Sequence, residues 1–95
     1  MSALLIVDID VHDPQAYQEY IAAVPDIIQR HGGTYLVRGG SPETTEGEWQ
    51  CARLVILEFP DRAAARAFLA SEEYAPFMAI RHRVASSRGI LVDGV

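Results

Sequence analysis

Five side chains in this 95-residue sequence have the polarity and placement to engage a small molecule: Asp8, Tyr17, Tyr20, Arg38 and Arg88. An arginine presents a rigid fork of N–H donors that matches a planar anion, so Arg38 and Arg88 are candidate anion anchors. Asp8 could orient the ligand or act as a base. Tyr17 and Tyr20 lie one helical turn apart and could aim their phenols into a cleft between helix and sheet. Each has a structural counterpart. Arg38 could pair with a carboxylate and fix strand register, and the two tyrosines could simply pack as aromatics. Gly39 and Gly40, which follow Arg38, read as turn residues, because no helix follows them to make an anion site.

The inventory removes several reaction classes. All eight basic residues are arginine, so neither a lysine Schiff base nor a phosphate loop with its lysine can be built. His12, His31 and His82 show no i,i+4 pair and no metal-ligand spacing, and the single Cys51 cannot complete a site with them, so no metal and no haem cofactor is expected. His82, flanked by arginines in "RHR", reads as a helix-surface residue, the alternative being a neutral base. The five serines show no nucleophile-elbow spacing. A net charge of −5 gives no overall attraction to nucleic acid or to an anionic membrane. With one cysteine no intrachain disulfide forms, which fits a reducing cytoplasm. The apolar start "ALLIV" is broken by Asp8 and Asp10 and lacks a basic leader, so it reads as a strand rather than as a signal or a membrane span.

The elements that would position these groups follow from periodicity. Residues 3 to 11 alternate, with Leu5, Val7 and Ile9 on one face and Leu4, Ile6 and Asp8 on the other. Asp13 as N-cap and Pro14 behind it open a helix that stops at His31-Gly32-Gly33, with Pro25 expected to kink or divide it. Strands are predicted at 34–38, 52–59 and 87–93, a solvated loop at 39–48, and a helix from Arg62 to about Ala70. Trp49 closes the loop, as a plug or as an anchor between chains. "SEEYAPFMAIRHRVA" reads as a broken helical stretch interrupted at Pro76.

The order strand, helix, strand, strand, helix, strand is that of an α+β ferredoxin-like βαββαβ sandwich, a single domain over residues 1–95. Its spatial strand order is fourth, first, third, second, with both helices on one face. A regular register then sets Arg88, Asp8, Leu54 and Arg38 in one row, with Asp8 and Arg38 roughly 10 Å apart at the backbone. The face opposite the helices collects Leu4, Ile6, Leu36, Leu54, Ile56, Ile90 and Val92, too much apolar surface to leave in water, so a second copy is expected to cover it.

The segments "DPQAYQEY", "YLVRGG", "EGEW", "LEFPD", "SEEY" and "SRGILVDGV" stand in an order and spacing that resembles the bacterial family known as domain of unknown function 1330, within the dimeric α/β-barrel superfamily. The resemblance implies two ferredoxin-like chains packed sheet to sheet as a dimeric α/β barrel. It implies no particular reaction, since the superfamily spans cofactor-independent oxygenases, haem-handling proteins, isomerases and stress-related binders. The expectation is a homodimeric, cytoplasmic small-molecule-binding protein, either a cofactor-independent enzyme on a polar or anionic metabolite or a plain binder. The alternative is a non-catalytic stress-related or interaction module whose charged residues are structural.

Overall fold

A computed structural model describes all residues from Met1 to Val95. Strand β1 (Ala3–Val11) leads into helix α1 (Pro14–Arg30), then β2 (Thr34–Gly39), β3 (Leu54–Phe59), α2 (Arg62–Leu69), α3 (Ala75–Val84) and β4 (Ala85–Asp93). The four strands form one antiparallel sheet in the order β2-β3-β1-β4, the ferredoxin-like arrangement. The helices cover one face only, which leaves a thin molecule with Cα extents of 33 × 31 × 16 Å.

Local chemistry sets the ends of the elements. The Asp13 carboxylate accepts the Ala16 amide at 3.1 Å and caps α1, and Asp61 does the same for α2 through the Ala64 amide at 2.8 Å. At the far end of α1, Gly32 turns to φ +81° while its amide and that of Gly33 donate to the carbonyls of Gln29 and Ile28. This paired closure satisfies carbonyls that the helix leaves open. Gly33 is required for a second reason: a Cβ there would lie 2.6 Å from Ile28 Cγ2 and 2.8 Å from the Phe59 ring.

Neither Pro25 nor Pro76 divides a helix. Helix α1 runs unbroken through Pro25, because Val24, Ile27 and Ile28 are all buried against the sheet and tertiary packing outweighs one missing hydrogen bond. Pro76 does not interrupt a helix either. It sits in the first turn of α3, where a missing N–H is harmless, and the preceding turn is held by the Ser71 hydroxyl, which donates to the Phe68 carbonyl and accepts the Tyr74 amide.

The core lies between helices and sheet. Leu5, Val7 and Ile9 of β1 meet Leu57 and Phe59 of β3, Val24, Ile27 and Ile28 of α1, and Phe68 of α2. Phe59, Phe68 and Tyr74 stack in series, with ring centroids 5.6 and 4.3 Å apart. Only 15 of 95 residues are buried, so the single chain has a small core. No helix is long and apolar enough to cross a membrane.

Candidate functional site

The register decides which side chains can share a site. Asp8 lies opposite Leu54 of β3 and opposite Arg88 of β4, so these three do form a row. Arg38 is not in it. The β2–β3 pairing steps from Tyr35 opposite Leu57 to Val37 opposite Ile56, which leaves Leu36 as an extra residue, and Arg38 then falls opposite Val55. One inserted residue reverses the facing of everything after it. Arg38 therefore turns to the helix side of the sheet, away from Asp8, and the expected four-residue row is corrected to three.

Asp8 has structural partners on the open face. One carboxylate oxygen accepts the Trp49 indole N–H at 2.9 Å and Arg88 Nε–H at 3.3 Å, and the other accepts the Cys51 thiol at 3.3 Å. The indole hydrogen bond, then those from Cys51 and Arg88, hold this carboxyl below its ordinary value of 3.8 against the opposing effect of burial. Burial and the neighbouring carboxylate push the Cys51 thiol up, which makes it a poor nucleophile. Trp49 is thus tied to β1 at the end of its loop, with the Arg88 guanidinium 5.8 Å from its ring. Arg88 itself stays largely in solvent.

The helix side holds the cavity. A cleft of about 380 Å³ opens between the sheet and the helices, and most of its lining is apolar: Leu5, Val7, Ile9, Val55 and Leu57 form its floor. Polar groups enter from several elements. Tyr17 and Tyr20 come from α1, Tyr35 and Arg38 from β2, Arg53 from the residue before β3, Tyr74 from the turn before α3, and Arg81 from α3, with Arg88 bordering the cleft. No Asp or Glu lines it. In a chain of net charge −5, a cavity with four arginines and no carboxylate is an electrostatic exception.

The tyrosines are held in place. Tyr17 and Tyr20 stack with centroids 5.0 Å apart, and the Tyr20 and Tyr74 hydroxyls share a hydrogen bond of 2.6 Å. Burial raises the Tyr17 phenol above its ordinary value, while Arg53 and Arg81 pull it back. Burial, followed by the Tyr74 phenol, pushes Tyr20 far up, and burial raises Tyr35 against the pull of Arg38. All three phenols are neutral donors at neutral pH. Arg38 lies 4.9 Å over the Tyr35 ring. Arg53 and Arg81 each bury an Nε with no hydrogen-bond partner.

Of the five residues nominated from sequence, Tyr17, Tyr20 and Arg38 line the cleft, Arg88 borders it and Asp8 does not contribute. Arg53, Tyr35, Tyr74 and Arg81 were not foreseen. Arg53 was within reach, because the alternation of Val55, Leu57 and Phe59 extended back by one step places residue 53 on the same face. The histidines take peripheral places: His31 meets Glu73 at 2.9 Å, His12 meets the Ser86 hydroxyl at 3.0 Å, and His82 edges the cleft. No three His, Cys, Asp or Glu side chains come together as a metal-binding group.

The family model for the domain of unknown function DUF1330 matches residues 2–95. The chain belongs to that family. No curated protein matches the DUF1330 chain in sequence. Among solved structures, a protein of unknown function from Rhodopseudomonas palustris superposes with a TM-score of 0.80 at 18% identity, covering 99% of this chain and 82% of that one. SnoaB, a cofactor-independent oxygenase from Streptomyces nogalater, gives 0.67 at 16% identity over 99% and 93% of the two chains. An antibiotic biosynthesis monooxygenase gives 0.56 at 18% identity over 100% and 99%. These likenesses establish the ferredoxin-like fold.

Proposed function

We propose that this DUF1330 protein is a cytoplasmic, homodimeric small-molecule-binding protein whose polar or anionic ligand occupies the cleft between helices and sheet. The observation that carries the reading is the 380 Å³ cavity, within the size range of ligand sites, with an apolar floor and arginine and tyrosine donors converging from separate elements. The interaction-module alternative requires these charges to be spent on one another. Arg38, Arg53 and Arg81 instead have no carboxylate partner. Only Asp8 and Arg88 behave in the structural manner.

Dimerisation rests on the opposite face. Leu4, Ile6, Leu54, Ile56, Ile90 and Val92 share it, and Ile90 is 63% exposed and Leu36 53% exposed in the single chain. Covering apolar surface at about 25 cal/mol per Å² favours a second copy even after the cost of association. A single free cysteine agrees with a reducing compartment. The fold that the chain shares with SnoaB makes cofactor-independent oxygenation the catalytic version of this reading. The neutral, arginine-flanked Tyr17 phenol would then be a proton donor at the cleft.

The test combines two measurements on purified protein. Light scattering at micromolar concentration should give twice the 10.5 kDa chain mass, and Ile56→Glu should yield monomer or aggregate, because it places an unpaired charge in the interface. A thermal-shift screen of anionic and neutral metabolites should find compounds that raise the melting temperature. Monomer mass for the wild type would remove the dimer, and a screen without any stabilising compound would remove the binding site.

A further inference from the structure

Arg53 and Arg81 reach the same cleft from different elements. Arg53 is fixed where β3 begins, since its carbonyl accepts the Ile9 amide at 2.9 Å. Arg81 stands on α3, one turn beyond Phe77, which packs against the core. Both line the same cleft as Tyr17, whose phenol their charges pull back against burial, and no acid lines that cleft.

Each of these guanidinium groups also carries a defect of a specific kind. Their Nε atoms are buried and unpartnered, the two side-chain atoms of that kind among the residues that are not exposed. A buried donor without an acceptor costs free energy, more so when charged, so both side chains are held at the cleft at a cost to the empty protein. The orphan atom being Nε matters. With Nε closed off, the terminal nitrogens are the part of each guanidinium left to face the cleft, and they too present two parallel donors that fit the two oxygens of a planar anion.

We propose that Arg53 and Arg81 form an anion subsite that takes the carboxylate of an aromatic acid, whose ring system lies on the apolar floor beside Tyr17. This rests on the cleft being the ligand site and adds the class of ligand. A planar monoanion uses the terminal N–H donors of the two arginines, and the predominantly apolar lining suits a hydrophobic body rather than a sugar phosphate with many hydroxyls. Tyr17, held neutral, can donate a third hydrogen bond to the same carboxylate.

The probes are 1-naphthoate, the isosteric neutral 1-naphthamide and 1-naphthyl phosphate, titrated by calorimetry and followed by methyl NMR on wild type, Arg53→Gln, Arg81→Gln and Arg81→Lys. Charge-assisted hydrogen bonds predict that wild type binds naphthoate at least about tenfold more tightly than naphthamide, with shifts at Leu5, Val7 and Leu57. Each Gln variant should lose about that factor for naphthoate while its weaker naphthamide binding is unchanged, and Arg81→Lys should recover only part of the loss, because it keeps the charge without the fork. Methyl spectra matching wild type establish that the variants are folded; if a Gln variant is unfolded, Arg81→Lys and the acid-to-amide ratio of the wild type still decide. Equal binding of acid and amide, or naphthoate binding that survives both Gln variants, overturns the anion subsite while leaving the cleft as a ligand site. Tighter binding of the naphthyl phosphate than of naphthoate overturns the carboxylate assignment. No binding by any probe, or shifts confined to Leu4 and Ile6 on the other face, overturns the cleft reading as well.

Discussion

The two faces of this sheet handle charge in opposite ways. On the open face, Asp8 gathers an indole, a thiol and Arg88 around itself, and Leu4, Ile6, Leu54 and Ile56 make an aliphatic patch beside it. On the helix face, Arg38, Arg53 and Arg81 surround a cavity without any carboxylate. Paired charge is what a fold needs in order to hold a loop to a strand. Unpaired charge around a cavity destabilises the empty protein and is better explained by something that enters. The same strand feeds both faces, since Leu5, Val7 and Ile9 point one way and Leu4, Ile6 and Asp8 the other. Chemical role therefore follows facing more than sequence neighbourhood.

The largest expected effect comes from testing neighbours on β1. Leu5→Ala removes a buried core side chain and should cost about 3 kcal/mol of unfolding free energy, independent of protein concentration. Leu4→Ala touches the open face. Its cost should grow with concentration, because it weakens association rather than the core. Urea denaturation at several protein concentrations separates them, and a concentration-independent loss for Leu4→Ala equal to that of Leu5→Ala would erase the distinction between the faces.

Asp8 gives an intermediate effect with a pH signature. Asp8→Ala removes one hydrogen bond to the indole, one to the thiol and a weak, solvent-screened pair with Arg88, which is 72% exposed, so about 1 to 2 kcal/mol is expected. Its carboxyl is held below 3.8, so the stabilisation is fully present above that value and is lost as pH falls through the lower folded value. Wild type and Asp8→Ala should accordingly converge in melting temperature as pH drops below about 4. A gap that stays constant into strong acid would mean that the lost stability is not electrostatic.

The frame of the molecule was legible in the sequence because its signals are periodic. Alternation along β1 and β3, the Asp13-Pro14 start and the His31-Gly32-Gly33 stop lead directly to the observed strand order and to α1. The bulge in β2 was not legible. Tyr35, Leu36 and Val37 are all apolar, so the alternation carries no phase there, and the facing of Arg38 was undetermined by pattern alone. Arg81 was hidden for a different reason. The weak amphipathicity of α3, where Arg81, His82 and Arg83 adjoin, does not reveal which of the three turns toward the sheet.

The smallest stability effect, and the sharpest use of the comparison, belongs to Arg38. A regular register would have made it a candidate partner of Asp8, and truncation would then strand a carboxylate at a cost of several kcal/mol. The bulge puts the two on opposite faces, and Asp8 is already satisfied by Trp49, Cys51 and Arg88. Arg38 is exposed, and its visible contact is with the Tyr35 ring, a cation–π interaction worth about 0.5 kcal/mol at such a site. Arg38→Ala should therefore shift the melting temperature by no more than about two to four degrees, on the order of 0.5 kcal/mol, while weakening anionic ligands found for the wild type. Arg88→Ala, with the opposite facing, should lower stability through Asp8 and weaken those ligands less. If Arg38→Ala instead destabilised the protein as much as Asp8→Ala does, the arginines of the helix face would be structural after all, and the division of charge between the two faces would no longer separate function from architecture.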